Sequence, residues 1–201
     1  MKIICIGLNY HEHAKEMNSS LPENPMFFMK PDTALLIRNR PFFIPDFSNE
    51  IHHEIEMVVK INKIGKHIQA NFAHKYYNQI ALGVDFTARD LQNQCKNNGH
   101  PWEIAKAFDF SAAISEFVPI EGNIQNQNIE LRLNSQTKQI TNTKDMIFSV
   151  DKIIEYVSQF VTLKIGDLIF TGTPSGVGKV NIGDQLQGFL NNQELLNFQI
   201  K

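Results

Sequence analysis

Cysteine is almost missing from these 201 residues: Cys5 and Cys95 are the only two, too few for a disulfide framework or a cysteine-based zinc site. An excess of either charge is missing as well. Lys and Arg number 19 against 21 Asp and Glu, a formal net of −2, which argues against nucleic acid or an anionic membrane as the main partner. The nearest thing to a basic stripe, Lys60, Lys63 and Lys66 around Gly65, reads as a solvated turn. No apolar run reaches the roughly 18 residues needed to span a bilayer. The N-terminal stretch Ile3 to Leu8 is too short for a signal peptide and is broken by Gly7 and Asn9. Loops of the G-x-x-x-x-G-K-[ST] and G-x-G-x-x-G kinds are absent, as is the G-x-S-x-G elbow of serine hydrolases. Fixed-period repeats, low-complexity tracts and interdomain linkers are lacking too. What remains is the expectation of a soluble, cytoplasmic protein in a reducing compartment.

Apolar residues make up 42% of the chain, with 15 phenylalanines, enough for a substantial core at this length. Lys2 to Gly7 reads as a short buried strand, followed by Asn9 as the N-cap of a helix from Tyr10 to Met17. Ser19 to Pro25 must be a loop. Strand pieces are expected at Met26–Met29, Ala34–Ile37 and Phe42–Ile44, separated by prolines. Ile51 to Ile61 alternates throughout. It predicts one strand with Ile51, His53, Ile55, Met57, Val59 and Ile61 on an apolar face. His52, Glu54, Glu56, Val58 and Lys60 share the other face. Another strand runs from about Gln79 to Asp85, and Thr87 to Asp90 resembles a capping box opening a helix that ends at Gly99. Ile129–Leu133 is expected to pair with Lys138–Thr141. Asp151 is expected to cap a helix whose apolar stripe is Ile153, Ile154, Val157, Phe160 and Val161. Strands at Leu168–Thr171, Gln185–Leu190 and Leu195–Ile200 finish the chain. Many short strands that do not alternate with helices predict a β-rich α+β fold, not a doubly wound sheet.

Five features could carry chemistry. Glu54 and Glu56, two apart on a strand, project their carboxylates from the same face and repel unless solvated or bridged by a cation. With Asp85 from a second strand they would suit a hard divalent ion, which prefers oxygen ligands. By itself the spacing also describes a solvated strand face. His13 and Glu16, three apart on a helix, can touch, and a carboxylate beside an imidazole suits a general base acting on water. An exposed surface pair fits the same spacing, and His11 is out of register with it. Arg89 and Gln92 share a helical face just after Asp85, with Leu91 and Cys95 assigned to a different, apolar one. Lys106 stands in the apolar run Ile104 to Phe108, where a lysine either snorkels to the surface or is kept charged by an anion. Thr171 to Gly178 is a strand followed by a Gly-rich loop whose N–H groups could face an anion, or simply a tight turn.

Taken in order, several segments resemble the fumarylacetoacetate hydrolase superfamily. They are Gly7-Leu-Asn-Tyr10 with His13 and Glu16, Phe28-Met-Lys-Pro31, His52-His-Glu-Ile-Glu56 and Gly83-Val-Asp-Phe-Thr-Ala-Arg-Asp-Leu-Gln92. The series continues through Trp102-Glu-Ile-Ala-Lys-Ala-Phe108, Met146-Ile-Phe-Ser149 and Ile169-Phe-Thr-Gly-Thr-Pro174. It spans nearly the whole chain and is most similar to the short acylpyruvase and oxaloacetate decarboxylase branch. Leu8 departs from it, standing where a more variable, often polar residue is usual. The resemblance implies a mixed β-sandwich roll with a few short helices, formed by residues 1–201 as one catalytic domain. It also implies a Mg²⁺ or Mn²⁺ site and a homodimer. Carried over by motif, Glu54, Glu56 and Asp85 are the metal ligands. His13 and Glu16 form a catalytic pair on a lid segment of about residues 9–25, and Lys106 is a further catalytic residue. Arg89, Gln92, Thr173 and Lys30 bind substrate.

That set implies an enzyme for small 2-oxo or β-diketo acids. A metal acting as Lewis acid stabilises the enolate that develops as the C3–C4 bond breaks, and Lys106 adds to that stabilisation. Acylpyruvate hydrolysis then needs water activated by His13 and Glu16, whereas oxaloacetate decarboxylation needs none. Tautomerisation of oxaloacetate, isomerisation of a 2-hydroxy-dienoate and sugar-acid dehydration are alternatives on the same scaffold. So is a non-catalytic protein that only binds metal and acid, against which the intact His13–Glu16 pair argues.

Overall fold

The computed structural model describes residues 1–201 and bears out a β-rich α+β architecture. Its largest element is a mixed sheet that runs Met26–Lys30, Ile3–Gly7, Leu168–Phe170, Ile55–Ile61, Tyr77–Asp85, Ala112–Ile114, Leu35–Ile37. Val118–Pro119 also pairs with Tyr77–Asp85. Ile3–Gly7 lies parallel to Leu168–Phe170, and Leu35–Ile37 parallel to Ala112–Ile114; the other pairings are antiparallel. An antiparallel four-stranded sheet, Gln136–Asn142, Asn128–Leu133, Gln185–Leu190, Gln193–Gln199, packs across Ile55–Ile61 and Tyr77–Asp85.

Period-two alternation places the core. Ile4, Ile6, Met57, Val59, Leu82 and Val84 point into the larger core; Ile3, Cys5, Val58, Ala81 and Phe170 point into a smaller one on the opposite face. Both faces of the main sheet are therefore covered. The reading of Ile51–Ile61 as one strand with an apolar and an acidic face is corrected accordingly. The ladder breaks at Glu54, with Ile51–His53 joining a small sheet with Thr87–Ala88 and Gly178–Lys179 and Ile55–Ile61 entering the main one. Only the two glutamates at this break are acidic, and Val58 further along is core. Val58 lies on a buried face because the smaller core covers it.

Three expected caps are also corrected. The first helix is His11–Glu16 with Tyr10 at its N-cap, and Asn9 instead ties distant backbone together. Its amide donates to the carbonyls of Phe148 and Thr171, at 3.1 and 2.8 Å, and accepts from Phe148 N–H at 2.7 Å. The helix Val150–Phe160 is capped by Ser149, while Asp151 accepts the Tyr77 hydroxyl at 2.8 Å. The helix Arg89–Asn98 starts after Ala88 with no side-chain cap and ends on Gly99 in the left-handed conformation. Phe42–Ile44 forms a bridge to Ile200 instead of a full strand; its Phe42 ring stacks on Phe86 at 3.8 Å. No helix is long and apolar enough to cross a membrane.

Candidate active site

The sheet switch at Glu54 creates the site. Because the strand leaves one sheet there and enters another, Glu54 and Glu56 emerge at a strand end beside Asp85, the last residue of the neighbouring strand. Asp85 N–H donates to the Glu54 carbonyl at 2.9 Å, fixing the two together. All three carboxylates are buried, and one oxygen from each lies within 4.8 Å of the others.

Cations reach this triad unevenly. Lys106 Nζ donates to Glu54 and Asp85, each at 2.9 Å, and to the Thr87 hydroxyl at 2.5 Å. Arg89 reaches Glu54 at 2.5 Å through one guanidinium nitrogen and Gln92 at 2.5 Å through the other. Burial pushes the Glu54 carboxyl up, but Lys106 and Arg89 outweigh it and hold the group well below the usual carboxylate range. Burial likewise opposes the charge on Lys106, yet Asp85 and Glu54 raise its pKa. The alternatives left open for this lysine resolve: it is 3% exposed and anion-paired, not snorkelling. Glu56 differs. No cation contacts it, and its one donor is Gly172 N–H at 2.6 Å. Burial, then repulsion from Asp85 and Glu54, pushes its pKa well up.

Lys30 stands behind the triad, outside the cavity lining. Its ammonium lies 2.7 Å from Asp85 Oδ1, yet its hydrogens go to Ser111 Oγ at 2.9 Å, the Ser111 carbonyl at 3.1 Å and the Lys106 carbonyl. Asp85 Oδ1 is left without a hydrogen bond. Three converging buried carboxylates, one of them with no cation in contact, fit a hard divalent ion with oxygen ligands.

A cavity of about 300 Å³ opens onto the triad. His13, Arg89, Gln92, Lys106 and Thr173 line it, and Phe28 and Trp102 form part of its apolar wall. His13 is buried, and its Nδ1 lies 3.0 Å from Glu16 Oε2. Glu16 Oε1 accepts from Gly176 N–H at 3.0 Å. Thus N–H groups of the Gly-rich loop do face anions, namely the protein's own Glu56 and Glu16. Arg89 and Gln92 are together as expected and line the cavity, while Cys95 is buried outside it and Leu91 borders a separate apolar groove.

Sequence reasoning missed several contributors. Gly172 gives no signal beyond its place in the loop, although an added Cβ would sit 2.7 Å from that of Asn9. Gln139 is buried behind Thr173, and nothing in its surroundings along the chain marks it. Lys96, seven residues after Arg89 and so on its helix face, reaches the cavity mouth 5.5 Å over the Trp102 ring. That spacing was readable.

Comparison with known proteins agrees with this geometry. The family described as fumarylacetoacetate (FAA) hydrolase C-terminal matches residues 2–201. The chain is 39% identical over 201 residues to the mitochondrial oxaloacetate tautomerase of Bos taurus, covering 99% of this chain and 91% of that protein. It is 41% identical over 189 residues to the mitochondrial oxaloacetate decarboxylase of Dictyostelium discoideum, covering 92% and 87%. The crystal structure of fumarylpyruvate hydrolase from Pseudomonas aeruginosa, in complex with Mn²⁺ and pyruvate, superposes with a TM-score of 0.95. Identity to it is 36%, with 100% of this chain and 89% of that one covered.

Proposed function

From the premise that the chain belongs to the fumarylacetoacetate hydrolase family, we propose that it is a Mg²⁺- or Mn²⁺-dependent enzyme acting on small 2-oxo acids. The observation that carries the reading is the buried triad Glu54, Glu56 and Asp85 at the floor of a cavity also lined by His13 and three cationic side chains. In this proposal the triad holds one divalent ion, which supplies Lewis acidity toward the carboxylate and 2-oxo oxygens of the substrate. Arg89, Gln92 and Thr173 bind and orient the acid. Lys106 holds Glu54 and Asp85 in place and opposes negative charge developing on the 2-oxo oxygen. Lys30 acts from behind by holding Asp85.

His13 carries the proton step. Its Nδ1 faces Glu16, which orients the ring, leaving Nε2 to take a proton from water or from substrate C3. The dyad sits on the segment of about residues 9–25, which we assign as a lid. The relatives carry names of a tautomerase, a decarboxylase and a hydrolase. All three chemistries pass through charge at the same oxygen, so oxaloacetate tautomerisation, oxaloacetate decarboxylation and acylpyruvate hydrolysis are the activities assigned. A homodimer belongs to the same proposal. An exposed apolar groove flanked by Phe47, Ile104 and Phe108 suits a second copy of the chain. The two buried free cysteines suit a reducing compartment such as the cytoplasm.

The test is a turnover screen with oxaloacetate, acetylpyruvate and fumarylpyruvate on chelator-treated protein, before and after Mg²⁺ or Mn²⁺ is added. Metal-dependent conversion of at least one substrate is the expected result. Binding of metal and acid with no conversion of any would make the protein a non-catalytic binder. A single monomeric mass by light scattering at micromolar concentration would remove the dimer.

A further inference from the structure

Gln139 lies on the strand Gln136–Asn142, behind the cavity wall, with 1% of its surface exposed. Its amide makes four hydrogen bonds, the full capacity of the group. Oε1 accepts from Ile55 N–H at 3.0 Å and faces His53 Nδ1 at 2.9 Å. Nε2 donates to the Pro174 carbonyl at 2.9 Å and to Thr173 Oγ1 at 2.8 Å.

Two of these partners are backbone groups of fixed polarity. A peptide N–H can only donate and a carbonyl can only accept, so the amide cannot be flipped without setting NH₂ against N–H and oxygen against oxygen. With that orientation forced, the other two bonds follow. His53 must carry a proton on Nδ1. Thr173 Oγ1 must accept, so its own hydrogen points elsewhere, and no protein group takes it. Thr173 is 3% exposed and lines the cavity. Its hydroxyl hydrogen therefore faces whatever occupies that cavity.

We propose that Gln139 is a positioning residue that makes Thr173 an obligate hydrogen-bond donor to an oxygen of the bound 2-oxo acid. The same amide oxygen anchors Ile55, the residue between Glu54 and Glu56, so one side chain ties the donor to the strand that bears the carboxylates. The proposal rests on the reading that an anionic acid fills the cavity. It predicts which substitutions are coupled. In Gln139→Glu the carboxylate still accepts from Ile55 N–H, but it has no hydrogen for Thr173 and instead accepts the threonine hydroxyl, turning it from the ligand.

The probe is pyruvate, titrated calorimetrically into protein saturated with Mn²⁺. Thr173→Val and Gln139→Glu should each weaken pyruvate about tenfold, one hydrogen bond's worth. The double variant should also lose about tenfold, because both changes remove the same donor. Thr173→Ser should restore affinity, and Mn²⁺ affinity should stay within about twofold throughout. If Gln139→Glu does not fold, Gln139→Met frees the threonine rotor and should cost severalfold. In the unmodified protein, nitrogen-15 spectra should show His53 protonated at Nδ1. Losses that multiply to about 100-fold in the double variant would overturn the assignment. So would unchanged pyruvate affinity in the Gln139 variants, or a neutral His53 protonated at Nε2. A parent protein that binds no pyruvate with metal present would remove the functional reading, and this proposal with it. A parent that binds pyruvate while Thr173→Val is unaffected would remove only the proposal.

Discussion

The uneven distribution of cations around the triad makes a prediction whose sign differs from one carboxylate to the next. Glu56→Gln keeps the size of the side chain and an oxygen for Gly172 N–H, 2.6 Å away, but removes the charge. In metal-free protein no cation contacts that carboxylate, and burial, then Asp85 and Glu54, outweigh the more distant Lys106 and push the group's pKa well up. Burying a polar group without adequate partners costs about 1–3 kcal/mol, more when it is charged. Glu56→Gln should therefore stabilise the metal-free protein by about 1–3 kcal/mol at pH 7. The pH dependence follows from linkage. A carboxyl whose folded pKa lies above its unfolded value of about 4.3 binds its proton more tightly when folded. Its unfavourable contribution is absent below that pH and grows as pH rises toward the folded value. The advantage of the glutamine should thus vanish near pH 4.

Glu54→Gln and Asp85→Asn should do the opposite. Glu54 holds Lys106 and Arg89, and Asp85 holds Lys106 with Lys30 close by, so neutralising either strands a buried cation. Breaking a buried pair from one side costs about 3–5 kcal/mol. Metal works against the advantage of Glu56→Gln. Saturation at 100 times Kd adds about 2.7 kcal/mol to the parent. Losing a charged ligand at a cost of about 100-fold in Kd would cancel that gain. Urea denaturation of the parent and three variants, in chelator and in millimolar Mn²⁺, measures all of this. Glu56→Gln that is less stable than the parent in chelator would refute the reasoning. Equal stabilisation of both proteins by Mn²⁺ would refute the ligand assignment.

His13→Ala should lower acylpyruvate hydrolysis by about 10²–10⁴ in kcat. Oxaloacetate decarboxylation, which needs no attacking water, should fall less, and equal losses would end the water-activation role. Gly176→Ala should destabilise the fold by more than about 2 kcal/mol in denaturant titration, because φ is +95° and a Cβ would run into the Lys138 carbonyl oxygen. Asp90 is pushed up by burial, but bonds from Ser48, Asn49 N–H and Leu91 N–H prevail and lower its pKa. Its stabilisation is present above the unfolded pKa and lost as pH falls through the lower folded value. Asp90→Asn should then cost about 0.5–1 kcal/mol at pH 7, discounted for solvent screening, and nothing near pH 2.

What the sequence made legible was local. The continuous apolar run Ile3–Ile6 and the alternation in Ile55–Ile61 located central strands, and the two-residue spacing of Glu54 and Glu56 set both carboxylates on one side. The three mistaken caps share one cause. Asn9, Asp151 and Thr87 have the right chemistry for a helix start, but each side chain meets a partner contributed by a distant segment, respectively Phe148 and Thr171, Tyr77, and Lys106. A buried polar atom takes whichever partner tertiary packing brings, and capping propensity is too weak to prevail. The state of Lys106 was undecidable for the same reason, since Glu54 and Asp85 lie 52 and 21 residues away. Gln139 had no local mark at all because each of its partners comes from another segment.

The Gly-rich loop shows why a motif can be read correctly in its physics and still be underestimated. Its N–H groups were legible as anion-facing, with a plain turn as the alternative. The anions they meet are Glu56, through Gly172, and Glu16, through Gly176. Thr173, between them, faces the cavity. One loop therefore touches the carboxylate triad, the cavity and the His13–Glu16 pair. The helix that carries the pair has only six residues, far below the length at which a helix persists alone in water. It is held by Ala14 in the core, by Asn9 and Tyr10 against Phe148 and Met146, and by Glu16 on Gly176. The position of His13 is consequently set by these tertiary contacts, the loop's backbone among them, and not by the helix alone. Gly172 and Gly176 both take positive φ there, which a side chain would strain. Their conformational freedom gives the loop a shape that can reach both carboxylates at once.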